Sequence, residues 1–385
     1  MTFQVSKEEG FKLRRLYLDR SKRVVVKVGS AVLTSDDGLD LPVMENLARE
    51  ISFLRKGGKE VILVSSGAVA AGRKRLGLET GRKLELREKQ GTAAVGQSRL
   101  MRFYEDIFER QGCKVAQILL THDDLSNRSR YLNVRNTMLT LLEWQIIPII
   151  NENDTVSVEE LRFGDNDTLG ALITNLIEAD LFICLTDVDG LYTGNPHKDP
   201  AAKPVYTVAK VDRKVECMAG YVVGALGTGG MQSKIRAARM VSARGGSSFI
   251  GSGRSKGIVR RLFGSEPVGT FFLPQAEKMQ SRKHWIAYVL RPKGQLVLDQ
   301  GACNALIKSG KSLLPSGILE VTGCFGVGAS VQCLDEKGNV IATGLSNYSA
   351  SDLGKIKGHK TGQIQEILGY KDSDEVIHRD NLVVQ

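Results

Sequence analysis

Residues 24–30 read VVVKVGS. A half-exposed strand would alternate apolar and polar residues; an unbroken apolar run specifies a strand covered on both faces, as inside a parallel sheet. Lys27 interrupts the run and Gly29 closes it. Two readings of the lysine stand side by side: a side chain snorkelling out of an edge strand, or an ammonium placed to reach a phosphate beyond the strand end.

Outward from this run the pattern repeats. Residues 61–65, 115–120, 146–150 and 181–185 are further apolar runs, with a shorter one at 248–250. Between them lie helical stripes. Val43, Leu47, Ile51 and Leu54 precede the stop at Gly57 and Gly58; Leu100, Tyr104, Ile107 and Phe108 precede Gly112; Leu169, Leu172, Ile173, Leu176 and Ile177 form a third. Alternating strand and helix predicts an α/β fold, a mostly parallel sheet sandwiched by helices.

Near residue 279 the character changes. Strands are predicted at 286–290, 295–298, 317–321, 330–334 and 340–344, with a hairpin turn at 335–339. These short strands among turn residues predict a small C-terminal β-barrel. The expected organisation is a leader over 1–22, solvated or a short amphipathic helix, an α/β domain over 23–278 and a β domain over 279–385, with a polar linker at 275–283.

Composition excludes several classes. With 385 residues, 42% hydrophobic and 25% charged, the chain can bury two cores. No apolar run reaches the ~18 residues that a membrane helix needs, and the N-terminus lacks the apolar stretch of a secretory signal. The six cysteines form no CxxC pair and the five histidines are scattered, which indicates neither zinc site nor disulfide scaffold. Reduced thiols and a cytoplasmic location are expected. The net charge of +10 is spread out, with no basic stripe of the kind that marks a strong nucleic-acid binder.

The chemistry-bearing segments gather where strands should end, the place where open α/β sheets bind ligands. SSGAVAAG after the second run is either turn chemistry or a helix N-terminus that holds an anion. INENDTV (150–156) and GDND (164–167) concentrate carboxylates and amides, read as a solvated loop or as acceptors for a substrate ammonium, with Asn166 able to donate to a substrate carboxylate. They lack calcium-loop spacing. GTGGMQSK (227–234) is not a GxxxxGK[ST] phosphate loop, yet glycines, a helix start and Lys234 could cradle phosphates as readily as form a plain turn.

Taken in order, VKVGSAVLT, SSGAVAAGR, AAVGQSRL, NENDTV, GDND, LTDVDGLYT and GTGGM.SK resemble the amino-acid kinase superfamily, over residues 24 to 378. They are most similar to the branch that phosphorylates the γ-carboxylate of L-glutamate, the first step of proline biosynthesis. SLLPSGI and VTG.F resemble a PUA domain, the β-barrel appended in that branch. The resemblance implies ATP and Mg²⁺ as cofactors, catalytic roles for Lys27, Lys234 and Asp167, with Asp167 organising the lysines, and a glutamate site at Ser66, Asp154 and Asn166. It places ATP at Lys27, Thr186, Asp187, Thr228, Gly229, Gly230, Met231, Gln232, Ser233 and Lys234, with no protein metal ligands. It further implies feedback inhibition by proline and a homo-oligomer, dimer or tetramer. Arg162 stands where relatives often carry lysine. The rival readings are a kinase acting on acetylglutamate, aspartate or a nucleotide, and an RNA-binding protein working through the β domain.

Overall fold

The computed structural model describes residues 6–35, 38–79, 82–156, 165–196, 198–219, 230–275 and 281–384. The chain divides into two compact units, Met1–Lys278 and Met279–Gln385.

The first unit is built on eight strands: β1 (Arg23–Val28), β2 (Glu60–Val64), β3 (Val115–Leu120), β4 (Ile147–Glu152), β5 (Leu181–Thr186), β6 (Thr207–Val208), β7 (Ser247–Ser252) and β8 (Thr270–Phe272). Their order is β3-β4-β2-β1-β5-β7-β8-β6. All neighbours pair parallel except β8, which runs antiparallel to β7. Val24, Val25, Val26 and Val28 are wholly buried, as the unbroken apolar run requires. β1 lies between β2 and β5, with Lys27 paired to Val64 on one side and Cys184 on the other. Lys27 is therefore in a central strand, and the edge-strand reading fails.

Helices cover the sheet: α1 (Lys7–Arg20), α2 (Leu41–Lys56), α3 (Ala68–Leu76), α4 (Leu86–Glu109), α5 (Arg128–Glu143), α6 (Asn166–Leu176) and α7 (Met231–Ala243). α2 starts where Asp40 accepts a hydrogen bond from Val43 N and stops at Gly57. The leader folds as α1, capped by Ser6. It buries Leu18 and Arg14, whose guanidinium donates to Val268 O at 2.9 Å and lies over the rings of Phe11 and Phe249. Burial lowers the Arg14 pKa to about 10.

α3 and α4 cross at backbone contact. A Cβ on Gly72 would stand 1.9 Å from Thr92 O, and one on Gly96 would stand 1.8 Å from Ala68 O. Only glycine permits so close an approach, and it carries the face of α4 that holds Gln97 and Tyr104 toward the carboxyl ends of β2 and β4.

The second unit has a five-stranded sheet: β9 (Gly294–Leu298), β10 (Ile318–Gly323), β11 (Ser330–Leu334), β12 (Val340–Leu345) and β13 (Leu382–Val384), in the order β10-β9-β11-β12-β13. β9 and β11 are parallel and the other pairs antiparallel. Leu296, Leu298, Val331, Cys333, Tyr348 and Ile377 are among its core residues. Asp335 holds the β11–β12 turn by accepting from Lys337 N and Asn339 N. The strand expected at 286–290 is instead a π-helical turn, Trp285–Val289, closed by Leu290 N donating to Trp285 O at 3.1 Å. Five apolar residues fit either period. Ile286 and Val289 are its buried pair, a helical rather than an alternating spacing.

Candidate active site

The carboxyl ends of β1, β2, β4 and β5, with the first turns of α6 and α7, bring one group of predicted residues together. Asp165 caps α6 by accepting from Thr168 N at 2.7 Å, and this fixes Asp167 in the first turn. Gly170, one turn on, lets the helix lie against Phe182 of β5, where a Cβ would meet the ring at 2.6 Å. Asp167 is only 1% exposed, and Lys27 and Lys234 are each 5% exposed.

Asp167 Oδ1 lies 2.6 Å from Lys27 Nζ and 3.2 Å from Cys184 Sγ. Its Oδ2 accepts from Ser233 Oγ at 2.7 Å and lies 3.2 Å from Lys234 Nζ. Each carboxylate oxygen thus takes one ammonium and one neutral donor, the arrangement that lets a buried carboxylate stay ionised. Burial on its own would raise the Asp167 pKa; the two lysines outweigh it and hold the carboxyl well below its ordinary range. Burial likewise works against the Lys27 ammonium, and Asp167 reverses that and raises its pKa. Burial and the neighbouring Asp167 charge push the Cys184 thiol up, so it remains S–H and can donate. Burial, then the Asp167 charge, raises the Asp165 pKa. The trio of Lys27, Asp167 and Lys234 carries one net positive charge.

A second group adjoins the first. The Asn166 amide nitrogen lies 2.7 Å from Ser65 O, 2.8 Å from Ser66 Oγ and 3.1 Å from Asn151 Oδ1. Asn151 Nδ2 donates to Gln97 Oε1 at 2.8 Å. Ser65 Oγ and Tyr104 OH are 2.7 Å apart, which ties α4 to the end of β2.

The other predicted residues spread along the same edge. Asp154 follows β4 and is half-buried. Thr186 ends β5, buried, and donates to the exposed Asp187 at 2.9 Å. Gly230 caps α7; after it Met231 is buried, Gln232 exposed and Ser233 half-buried. Thr228, Gly229 and Arg162 lie outside the described residues. Among the described residues, no cluster of three His, Cys, Asp or Glu side chains could hold a metal ion, and no helix is long and apolar enough to cross a membrane.

The model of the amino acid kinase family matches residues 22–252 and that of the PUA domain matches residues 294–368. The chain belongs to the amino acid kinase family. Within that family it is a kinase similar over nearly its whole length to curated glutamate 5-kinases. That of Desulfotalea psychrophila is 58% identical over 372 residues, covering 97% of this chain and 99% of its own. That of Geobacter sulfurreducens is 50% identical over 373 residues, covering 97% of this chain and 100% of its own.

Among the side chains of the candidate site that escaped the sequence reading are Gln97, Asn151 and Cys184. Asn151 stood inside the NEND segment and Gln97 inside AAVGQSRL, so the segments were seen and the side chains were not. One signal was available. Gln97 directly follows a helical glycine, and Tyr104 lies two turns further along the same face.

Proposed function

We propose that the first unit transfers the γ-phosphoryl group of MgATP to the γ-carboxylate of L-glutamate, giving γ-glutamyl phosphate and ADP, the first step of proline biosynthesis. The observation that carries this reading is the pair of buried ammonium groups sharing one carboxylate beside a row of side-chain amides. A buried positive excess favours an anion, and a transferring phosphoryl group supplies one. The full-length likeness to glutamate 5-kinases supports the choice of acceptor.

The acceptor needs no base. A glutamate side chain has a pKa of ~4.3 and is an ionised nucleophile at neutral pH. The barrier lies in bringing two anions together and in stabilising charge on the transferring group. Lys27, from the end of β1, and Lys234, from the first turn of α7, would act on the phosphates from two sides, and Asp167 would hold both in place. The start of α7 at Gly230 and the end of β5 at Thr186 and Asp187 would bind the nucleotide, and Thr228 and Gly229 would extend that site. Mg²⁺ would enter as the counter-ion of the nucleotide phosphates. Ser66, Asp154 and Asn166 would hold the amino acid. Proline shares the α-carboxylate and α-ammonium of glutamate without the reacting group, so it would compete for the same residues.

The test is ADP release in the presence of MgATP with glutamate, aspartate, acetylglutamate or uridylate supplied singly. Release with glutamate alone is the expected result. Preference for any of the other three would replace this reading.

A further inference from the structure

We infer that Gln97 is a positioning residue for the amino-acid site, holding Asn151 and through it the Asn166 amide in place, with the side-chain oxygen of Asn166 toward the ammonium of the substrate. This rests on the reading of that site as the glutamate site.

Side-chain amides present a donor end and an acceptor end of nearly equal shape, so their orientation follows from their neighbours. Here the chain of assignment starts at a backbone group that can only donate. Glu152 N lies 2.9 Å from one end of the Asn151 amide, which must therefore be the oxygen. The opposite end of Asn151 is then NH₂, and it donates to Gln97 Oε1 at 2.8 Å. Asn166 faces two atoms that can only accept, Asn151 Oδ1 at 3.1 Å and Ser65 O at 2.7 Å. An amide nitrogen has two hydrogens, and these acceptors use both.

Two consequences follow for the site. In this arrangement both Asn166 hydrogens are engaged within the protein, which favours an accepting role toward the substrate over the donating role expected of that side chain from the sequence. Its Oδ1 makes no hydrogen bond among the described residues, and it accepts from a substrate N–H. Ser66 Oγ, 2.8 Å from Asn166 Nδ2, shares one of these two hydrogens as a three-centre acceptor and keeps its own O–H to donate. Asn166 and Ser66 thus offer an acceptor and a donor side by side, matched to an α-ammonium and an α-carboxylate.

Gln97 is the one member of this row that comes from α4, and its place depends on the glycine crossing of α3 and α4. Without its oxygen, Asn151 Nδ2 loses its acceptor; Glu152 N and Ser65 O still set which way the two amides face, but the row loosens and Asn166 Oδ1 is no longer held at one place against the substrate ammonium.

The test compares wild type with Gln97→Met, which keeps the length and removes the acceptor, and Gln97→Glu, which restores an acceptor. Glutamate is the varied substrate; glutarate, which has both carboxylates and no ammonium, is the competitive inhibitor. Gln97→Met is expected to raise KM for glutamate about tenfold or more, the scale of one hydrogen bond to a charged group. Its kcat, its KM for ATP and its glutarate Ki should stay within about twofold, and Gln97→Glu should recover most of the loss. An unchanged KM, or a glutarate Ki that rises in step with KM, overturns the inference. A wild-type protein that releases ADP with glutarate and glutamate equally well would overturn it too, and one inert toward glutamate would instead remove the reading beneath it.

Discussion

Lys27 and Lys234, far apart in sequence, bind opposite oxygens of one carboxylate, at 2.6 and 3.2 Å from Asp167 Oδ1 and Oδ2. The central strand β1 supplies one and the first turn of α7 the other, and α6 sets the carboxylate between them. Neither lysine lies in the apolar core, so the pair can be altered without emptying the fold.

Lys27→Ala and Lys234→Ala should each lower kcat by about 10²-fold or more, the scale of losing one preorganised charge contact. Each variant leaves Asp167 with one ammonium, so a cooperative unfolding transition should persist. Steady-state kinetics at saturating ATP check this; near-normal kcat in either variant would remove that lysine from the chemistry.

Asp167→Asn should act on stability and on pH together. The folded-state pKa of Asp167 lies below its unfolded value, so its contribution is full above ~4 and fades only as pH falls through the folded value. That of Lys27 lies above its unfolded value, so its contribution is full below ~10 and is lost as pH climbs through the folded value. Asp167 and Lys27 therefore hold their charges through the neutral range. In Asp167→Asn the burial of Lys27 goes uncompensated and its pKa falls, which moves the alkaline limb of the kcat profile to lower pH. Uncompensated buried charge should also cost about 3–5 kcal/mol of stability at neutral pH, read from urea unfolding.

Much of this arrangement was legible in the sequence, and the reasons differ from residue to residue. The unbroken valines of β1 specify a doubly covered strand wherever it sits in the sheet. Whether Lys27 lay at an edge or in the centre depended on strand order, which no local pattern carries. That Lys27, Asp167 and Lys234 belong together came from the resemblance to a family; composition and spacing left each of them ambiguous. The Gln97–Asn151–Asn166 row was not legible, because it exists only once Gly72 and Gly96 let two helices touch. In the second unit, Trp285–Val289 was misread because five apolar residues carry no period. The helix Gln300–Ser309 was missed among short strands, although Asp299 caps it and Gly310 ends it.

Gly96→Ala should separate α3 from α4, since its Cβ would stand 1.8 Å from Ala68 O. A backbone carbonyl cannot yield as a flexible side chain does, and overpacking of this kind costs about 1–3 kcal/mol or more. Urea midpoints check the stability. Because Gln97 adjoins the crossing, KM for glutamate should rise as well, with KM for ATP less affected.

Asp154→Asn should weaken glutamate and proline together. A hydrogen bond between a carboxylate and an ammonium is worth roughly 1.5–3 kcal/mol, or about one to two decades in affinity. Initial rates against glutamate at several fixed proline concentrations should show proline raising the apparent KM in wild type, with both KM and the proline Ki raised in the variant. A proline effect on kcat alone, unmoved by Asp154→Asn, would put the inhibitor elsewhere.

The central claim is that a side-chain carboxylate receives the phosphoryl group, and hydroxylamine trapping tests it most directly. An acyl phosphate reacts with hydroxylamine to give a hydroxamate. With MgATP, glutamate and hydroxylamine, the protein should form γ-glutamyl hydroxamate in step with ADP, and Lys234→Ala should suppress both alike. ADP released without hydroxamate, or at the same rate with glutamate left out, would contradict the account.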